Sequence, residues 1–208
     1  MTFVKVCGIR TLKELEIVEK YADATGVVVK ASSRRSVSVE KAKEIVREAV
    51  IPVFLVSTLE SVGAWIELIE KCEAEYVQIH AEVESEVVEE IRELGIFVMK
   101  AFRVPEKCLN PELVARRIVE EARTCKADMV LLDTGRGSGK LHDHRVSEIV
   151  AKKFDVVLAG GLNPKNVAKV VEFVKPFGVD VSSGVEVNGM KDEALVKEFV
   201  KQAKCARV

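Results

Sequence analysis

The stretch that decides the fold is Val156-Val157-Leu158-Ala159-Gly160-Gly161-Leu162-Asn163-Pro164. Its first residues form a short, continuous apolar run rich in valine. Such a run, without polar alternation, marks a strand buried on both faces and hence a parallel sheet. A glycine pair then supplies a turn. Asparagine before proline reads as an N-cap followed by the first helical position. The stretch is therefore one strand–loop–helix unit.

The same unit recurs along the chain. Apolar runs stand at Phe3–Val6, Ala24–Val29, Pro52–Val56, Tyr76–Ile79, Ile96–Ala101, Met129–Leu132, Val156–Leu158 and Val179–Val181, and each is followed by a helix-like segment. Thr11-x-x-Glu14 and Ser57-x-x-Glu60 read as capping boxes, and Asn110-Pro111 repeats the N-cap and proline pattern. Ser38 and Asp192 are caps for two more helices, and Gly95 is a C-terminal stop. In the first helix Leu12, Leu15, Ile17 and Val18 make one apolar stripe. Strict alternation implies a parallel sheet with right-handed crossovers. Eight units in 208 residues, with no linker or composition shift, predict an α/β fold: one (β/α)8 TIM barrel domain over residues 1–208. The first strand runs into Cys7-Gly8-Ile9-Arg10-Thr11, so the G-x-G-x-x-G dinucleotide fingerprint is missing.

Composition narrows the function. The chain is 48% hydrophobic and 31% charged, which excludes a disordered chain. Lys and Arg total 32 against 33 for Asp and Glu, so no global basic surplus suggests a nucleic-acid partner. No apolar run is long enough for a membrane span, and Met1–Arg10 does not read as a signal peptide. The expected location is cytoplasmic, with no membrane partner. Five scattered cysteines without a C-x-x-C pair suggest reduced thiols rather than zinc or a disulfide framework. Valine occurs 37 times, as the core of a parallel sheet requires, and Asn plus Gln only six times, which leans toward a hot environment.

A barrel of this kind places its active site at the C-terminal strand ends. The polar residues there are Cys7, Arg34 and Arg35, Ser57, His80, Arg103, Asp133, Gly160 and Gly161, and Asp180 with Ser182, Ser183 and Gly184. Cys7 is either a buried structural thiol or a thiolate base, and Lys5, on the same strand face, is the candidate cation beside it. Asp133 is a loop cap or an enclosed acid. The loop after it, Thr134–Lys140, is glycine-rich, but Leu141 stands where a P-loop needs Ser or Thr. Glycines and serines after strands seven and eight lie where barrels commonly hold phosphate. Arg34-Arg35 is a solvated pair or a fork for a carboxylate. His142-x-His144 could suggest a metal pair, but beyond Asp143 no third ligand lies nearby, and no metal is expected.

These residues carry a resemblance. Lys5-Val-Cys-Gly-Ile9, Leu131-Leu-Asp-Thr134 with Gly137-Ser-Gly-Lys140, Leu158-Ala-Gly-Gly-Leu-Asn-Pro164, and Gly178-Val-Asp-Val-Ser-Ser-Gly-Val-Glu186 with Lys191-Asp192 are similar to the phosphoribosylanthranilate isomerase family. The resemblance implies an Amadori rearrangement of N-(5-phosphoribosyl)anthranilate in tryptophan biosynthesis, with no cofactor. It implies Cys7 as general base, Asp133 as general acid, Arg35 in preference to Arg34 as carboxylate clamp, and a phosphate on the loops holding Gly160, Gly161, Ser182, Ser183 and Gly184. His80, at the mouth, is a candidate substrate contact or a satisfied structural histidine, and Asp180 is a further candidate substrate contact. The partner is a small phosphorylated substrate, and the assembly a monomer or homodimer. The alternatives are a histidine-pathway aminoaldose isomerase, whose relatives use two aspartates where this chain has Cys7 and Asp133, and an inactive phosphosugar-binding barrel. This chain departs from the family at His142 and His144, where an aromatic residue and Trp are usual, and in Lys30–Arg34, which lacks a common proline.

Overall fold

Every one of the eight apolar runs forms a strand. In the computed structural model, which describes residues 1–135 and 140–206, these are β1 (Phe3–Cys7), β2 (Ala24–Val29), β3 (Val53–Ser57), β4 (Tyr76–Ile79), β5 (Phe97–Arg103), β6 (Met129–Asp133), β7 (Val156–Leu158) and β8 (Gly178–Val181). Each pairs in parallel with the next, and β8 returns to β1 through Phe3↔Gly178 and Lys5↔Asp180, so the sheet closes. The helices alternate with them: α1 (Leu12–Glu19), α2 (Val39–Glu48), α3 (Val62–Cys72), α4 (Ser85–Glu93), α5 (Pro111–Cys125), α6 (His144–Ala151), α7 (Val167–Val174) and α8 (Glu193–Cys205). This is the expected (β/α)8 barrel. Two short additions were not read from the sequence. Ser36–Val37 lies beside β2, and Glu186–Val187 pairs antiparallel with Met190–Lys191 past the end of β8.

Strand alternation sorts the core into two layers. Val4, Val6, Val27, Val29, Leu55, Val77, Ile79 and Val179 point outward and meet Leu15, Val18, Ile45, Trp65, Leu68, Ile118 and Phe199 of the helices. Cys7, Ala24, Val28, Phe54, Val56, Met99, Leu131, Val157 and Ala159 form the inner cluster. Toward the N-terminal end, Phe54, Tyr76 and Phe97 fill the barrel with rings 5.4–6.1 Å apart. The outer face is apolar and the inner face mostly so, with Lys5, Gln78, Lys100 and Asp180 as buried exceptions, which is why the strands read as nearly continuous runs. Each fully buried Val or Leu contributes roughly 1.5–3 kcal/mol.

Some helices start on their local cap residue and others do not. Asn110 accepts from the Leu113 N–H with Pro111 as first helical residue; Ser38 and Asp192 cap α2 and α8 as expected. Ser57 is not a cap: it is the last residue of β3, and Ser61 caps α3 by accepting from Ala64. Nor does Asn163 cap α7, which begins at Val167; Asn163 accepts from Lys165 in the preceding turn. Thr11 does cap α1, but Glu14 reaches the N–H of Arg10, not of Thr11, and with its other oxygen the N–H of Lys191. The tertiary partner in the short hairpin thus displaces the local box.

Candidate active site

Cys7 closes β1 and Asp133 closes β6, so the parallel sheet brings both to the C-terminal mouth. Burial pushes the Cys7 thiol up, while the ammonium of Lys5 pulls it down. The room for both comes from Gly26 on the neighbouring strand: a Cβ there would stand 2.9 Å from Cys7 Sγ and 3.1 Å from Lys5 Nζ. Lys5 is fully buried and donates to Asp180 Oδ1 at 3.1 Å. Burial opposes its charge, but Asp180 and Cys7 prevail and raise its pKa, so the ammonium persists. Asp180 is thus committed to Lys5 inside the barrel.

Burial also raises the Asp133 carboxyl, against the N–H groups of Gly135 and Thr134. The carboxyl therefore keeps its proton to higher pH than an ordinary aspartic acid, which suits a proton donor. His80 follows β4 with its Nε2 3.6 Å from Asp133 Oδ2. Its side chain is 31% exposed, yet burial of the ring moves its pKa down to about 4. The imidazole is neutral at pH 7, so the approach is not an ion pair. Gly160, at φ +88°, lets the β7 loop pass beside the acid: a Cβ would stand 2.7 Å from Asp133 Oδ1 and 2.6 Å from Thr134 Oγ1. Gly161 packs equally closely on Lys140 and Leu141. Thr134 Oγ1 donates to the Lys140 carbonyl at 2.6 Å and so joins the two ends of the loop after β6. Arg136, Gly137, Ser138 and Gly139 of that loop lie outside the described residues.

The loops after β7 and β8 touch, since a Cβ on Gly184 would fall 1.9 Å from the Leu162 carbonyl oxygen. Ser183 is exposed beside it. Ser182 is spent internally: its hydroxyl donates to the Cys7 carbonyl at 2.9 Å and accepts from Lys191 Nζ at 3.3 Å. Arg35 and Arg34 differ sharply, with side-chain exposures of 13% and 68%. Arg35 forks onto Glu186, Nε to Oε1 at 2.6 Å and Nη2 to Oε2 at 3.0 Å. Arg34 adds one bond to Oε2 at 3.1 Å.

His142 and His144 are packing residues: their rings meet edge-on at 4.8 Å, and His142 Nε2 lies 2.6 Å from Ser147 Oγ. Among the described residues no group of three or more His, Cys, Asp or Glu side chains could hold a metal ion. Arg103 ends β5 in register with Asp133, and its side chain runs beside Gly135. Glu186 and Lys191 were given no role by sequence reading. The signal that finds them is Asn188-Gly189, a two-residue hairpin turn with φ +52° and +77°, which sets Glu186 opposite Lys191.

Fold and mouth together define a (β/α)8 barrel with a thiol and an enclosed carboxyl at the C-terminal ends of its strands. Comparison with known proteins narrows this. The family model for N-(5'-phosphoribosyl)anthranilate (PRA) isomerase matches residues 4–202. An N-(5'-phosphoribosyl)anthranilate isomerase of Pyrococcus abyssi is 57% identical over 203 residues, 97% of this chain and 98% of the relative. The solved structure of the Pyrococcus furiosus isomerase is 53% identical with a TM-score of 0.93, covering 98% of this chain and 99% of that one. A phosphoribosyl anthranilate isomerase solved with reduced 1-(o-carboxyphenylamino)-1-deoxyribulose 5-phosphate is 34% identical, TM-score 0.83, covering 98% and 99%. The chain belongs to the phosphoribosylanthranilate isomerase family.

Proposed function

We propose that the chain carries out its family's isomerisation with Asp133 as general acid and Cys7 as general base. The reaction opens the ribose ring of N-(5-phosphoribosyl)anthranilate and ends as the amino ketose, one step of tryptophan biosynthesis. Asp133 gives its proton to the ring oxygen as the C1′–O bond breaks, while the anilino nitrogen lone pair forms the Schiff base. The Cys7 thiolate then takes the proton from C2′, and that electron pair becomes the enolamine double bond. A carboxyl raised by burial and a thiol beside a buried ammonium, both at the same strand ends, are the observation that carries the assignment.

Binding follows the charges of the substrate. Arg35, not Arg34, holds the anthranilate carboxylate, because its guanidinium is fixed and only partly exposed. The phosphate sits on the touching loops of Gly160, Gly161, Ser183 and Gly184, with Ser182 shaping the loop from below. His80 contacts the substrate as a neutral ring beside Asp133, and Asp180 acts through Lys5. The chain works as one domain over residues 1–208, in the cytoplasm, on a small phosphorylated substrate, as a monomer or homodimer, without cofactor, nucleic acid or membrane. Among the described residues no helix is long and apolar enough to cross a membrane.

The test is decay of substrate fluorescence on adding the purified protein. Decay well above that in buffer is expected; decay equal to buffer contradicts the activity. An Arg35→Ala variant with unchanged KM would move the carboxylate clamp elsewhere.

A further inference from the structure

We propose that Glu186 is a positioning residue that aims the Arg35 clamp, and that Lys191 couples this clamp to the loop after β8. The proposal rests on the reading of Arg35 as carboxylate clamp and of the β8 loop as phosphate site. The side chain of Glu186 is 4% exposed, and each of its oxygens is doubly engaged. Oε1 accepts from Arg35 Nε at 2.6 Å and Lys191 Nζ at 2.9 Å; Oε2 accepts from Arg35 Nη2 at 3.0 Å and Arg34 Nη2 at 3.1 Å. Lys191 is fully buried and also donates to the Ser182 carbonyl at 3.1 Å. Ser182 in turn donates to the carbonyl of Cys7. One buried network thus runs from the clamp, through Glu186 and Lys191, to the turn that follows β8 and to the strand end carrying the base.

The chemistry favours positioning over mere stability. A planar fork fixes the guanidinium plane as well as its location. It consumes the Nε and Nη2 edge of Arg35 and leaves Nη1 without a hydrogen bond among the described residues. The stem of Arg35 lies where a side chain on residue 8 would be, since a Cβ on Gly8 would fall 2.4 Å from Arg35 Cδ. Held at the fork and along the stem, the arginine has one free amino group to offer a carboxylate. Burial works against the charge of Glu186, but the bonds from Arg35 and Lys191 override it and lower its pKa to about 2, so the fork is ionic at neutral pH. Preorganisation of this kind reduces the ordering cost of binding.

The experiment compares Glu186→Gln, Arg35→Ala and the double variant in substrate kinetics. It adds calorimetric binding of two probes, reduced 1-(o-carboxyphenylamino)-1-deoxyribulose 5-phosphate and the same compound lacking its carboxyl. Glu186→Gln should raise KM about tenfold, equivalent to about 1.4 kcal/mol, with kcat changed far less. In the Arg35→Ala background the same change should have almost no further effect on KM. It should weaken the carboxylate probe and spare the other, whereas Lys191→Met should weaken both. Additive KM losses, or equal weakening of both probes by Glu186→Gln, would overturn the proposal while leaving the clamp standing. An Arg35→Ala variant with unchanged KM would remove the clamp reading, and the proposal with it.

Discussion

Replacing Lys5 by Met tests the electrostatics of the barrel interior. The side chains are close in volume, so packing is largely kept and the change is mainly one of charge. The ammonium is fully buried, 3.1 Å from Asp180, and Gly26 makes the room it shares with Cys7. Removing one partner of a buried pair leaves the other uncompensated, which costs about 3–5 kcal/mol. Asp180 can escape part of this by taking up a proton, because a buried carboxylate without its cation has a raised pKa. The loss in Lys5→Met should therefore be largest near pH 7 and shrink as pH falls. Lys5→Met with Asp180→Asn should recover most of it. Denaturant unfolding of the two single variants, the double variant and wild type at pH 7 and pH 5 measures this. The same set reports on Cys7 through iodoacetamide alkylation against pH, followed by mass spectrometry of the Cys7 peptide. Without Lys5 the rise in reactivity should move to higher pH, since the cation that opposes burial of the thiolate is gone. A Lys5→Met protein within about 1 kcal/mol of wild type, no better when Asp180→Asn is added, would refute the reasoning.

Three further outcomes follow from the site. Gly160→Ala forces an L-residue to φ +88° and drives its methyl into Asp133 and Thr134, so kcat should fall more than KM rises in steady-state kinetics. The carboxyl of Asp133 is raised above 3.8 and the thiol of Cys7 above 9.0, both by burial. The active pairing of thiolate with carboxylic acid is then a minor ionisation of the singly protonated pair. The profile of kcat/KM should rise above the ordinary aspartate range and fall only above the ordinary thiol range; a fall well below pH 9 would contradict this. Glu186 has its pKa lowered from 4.5 to about 2, so its contribution to stability is present above 4.5 and is lost as pH falls toward 2. Glu186→Gln should flatten that part of an acid unfolding curve.

What the chain shows in one dimension, and what it hides, follows the range of the interactions. The eight strands were legible because burial on both faces needs apolar residues at successive positions, whatever the partner strand. Asn110-Pro111 was legible because a cap is satisfied within three residues. Ser57-x-x-Glu60 misled for the same reason: its spacing meets the local rule, but the sheet extends through Ser57 and the helix waits for Ser61. Cys7 and Asp133 could be located because a parallel barrel puts every strand end at one mouth. The committed states of Asp180 and Ser182 could not, since their partners Lys5 and Cys7 are each 175 positions away. Glu186 lay within a matching stretch, yet its task depends on Arg35, 151 positions earlier.

Cys7 and Asp133 carry the proposed chemistry, and the most direct measurement is substrate fluorescence decay under saturating conditions with Cys7→Ala and Asp133→Asn. Each variant should stay folded by circular dichroism and lose at least about a hundredfold in kcat. A folded Cys7→Ala or Asp133→Asn protein turning over at close to the wild-type rate would contradict the assignment of base or acid.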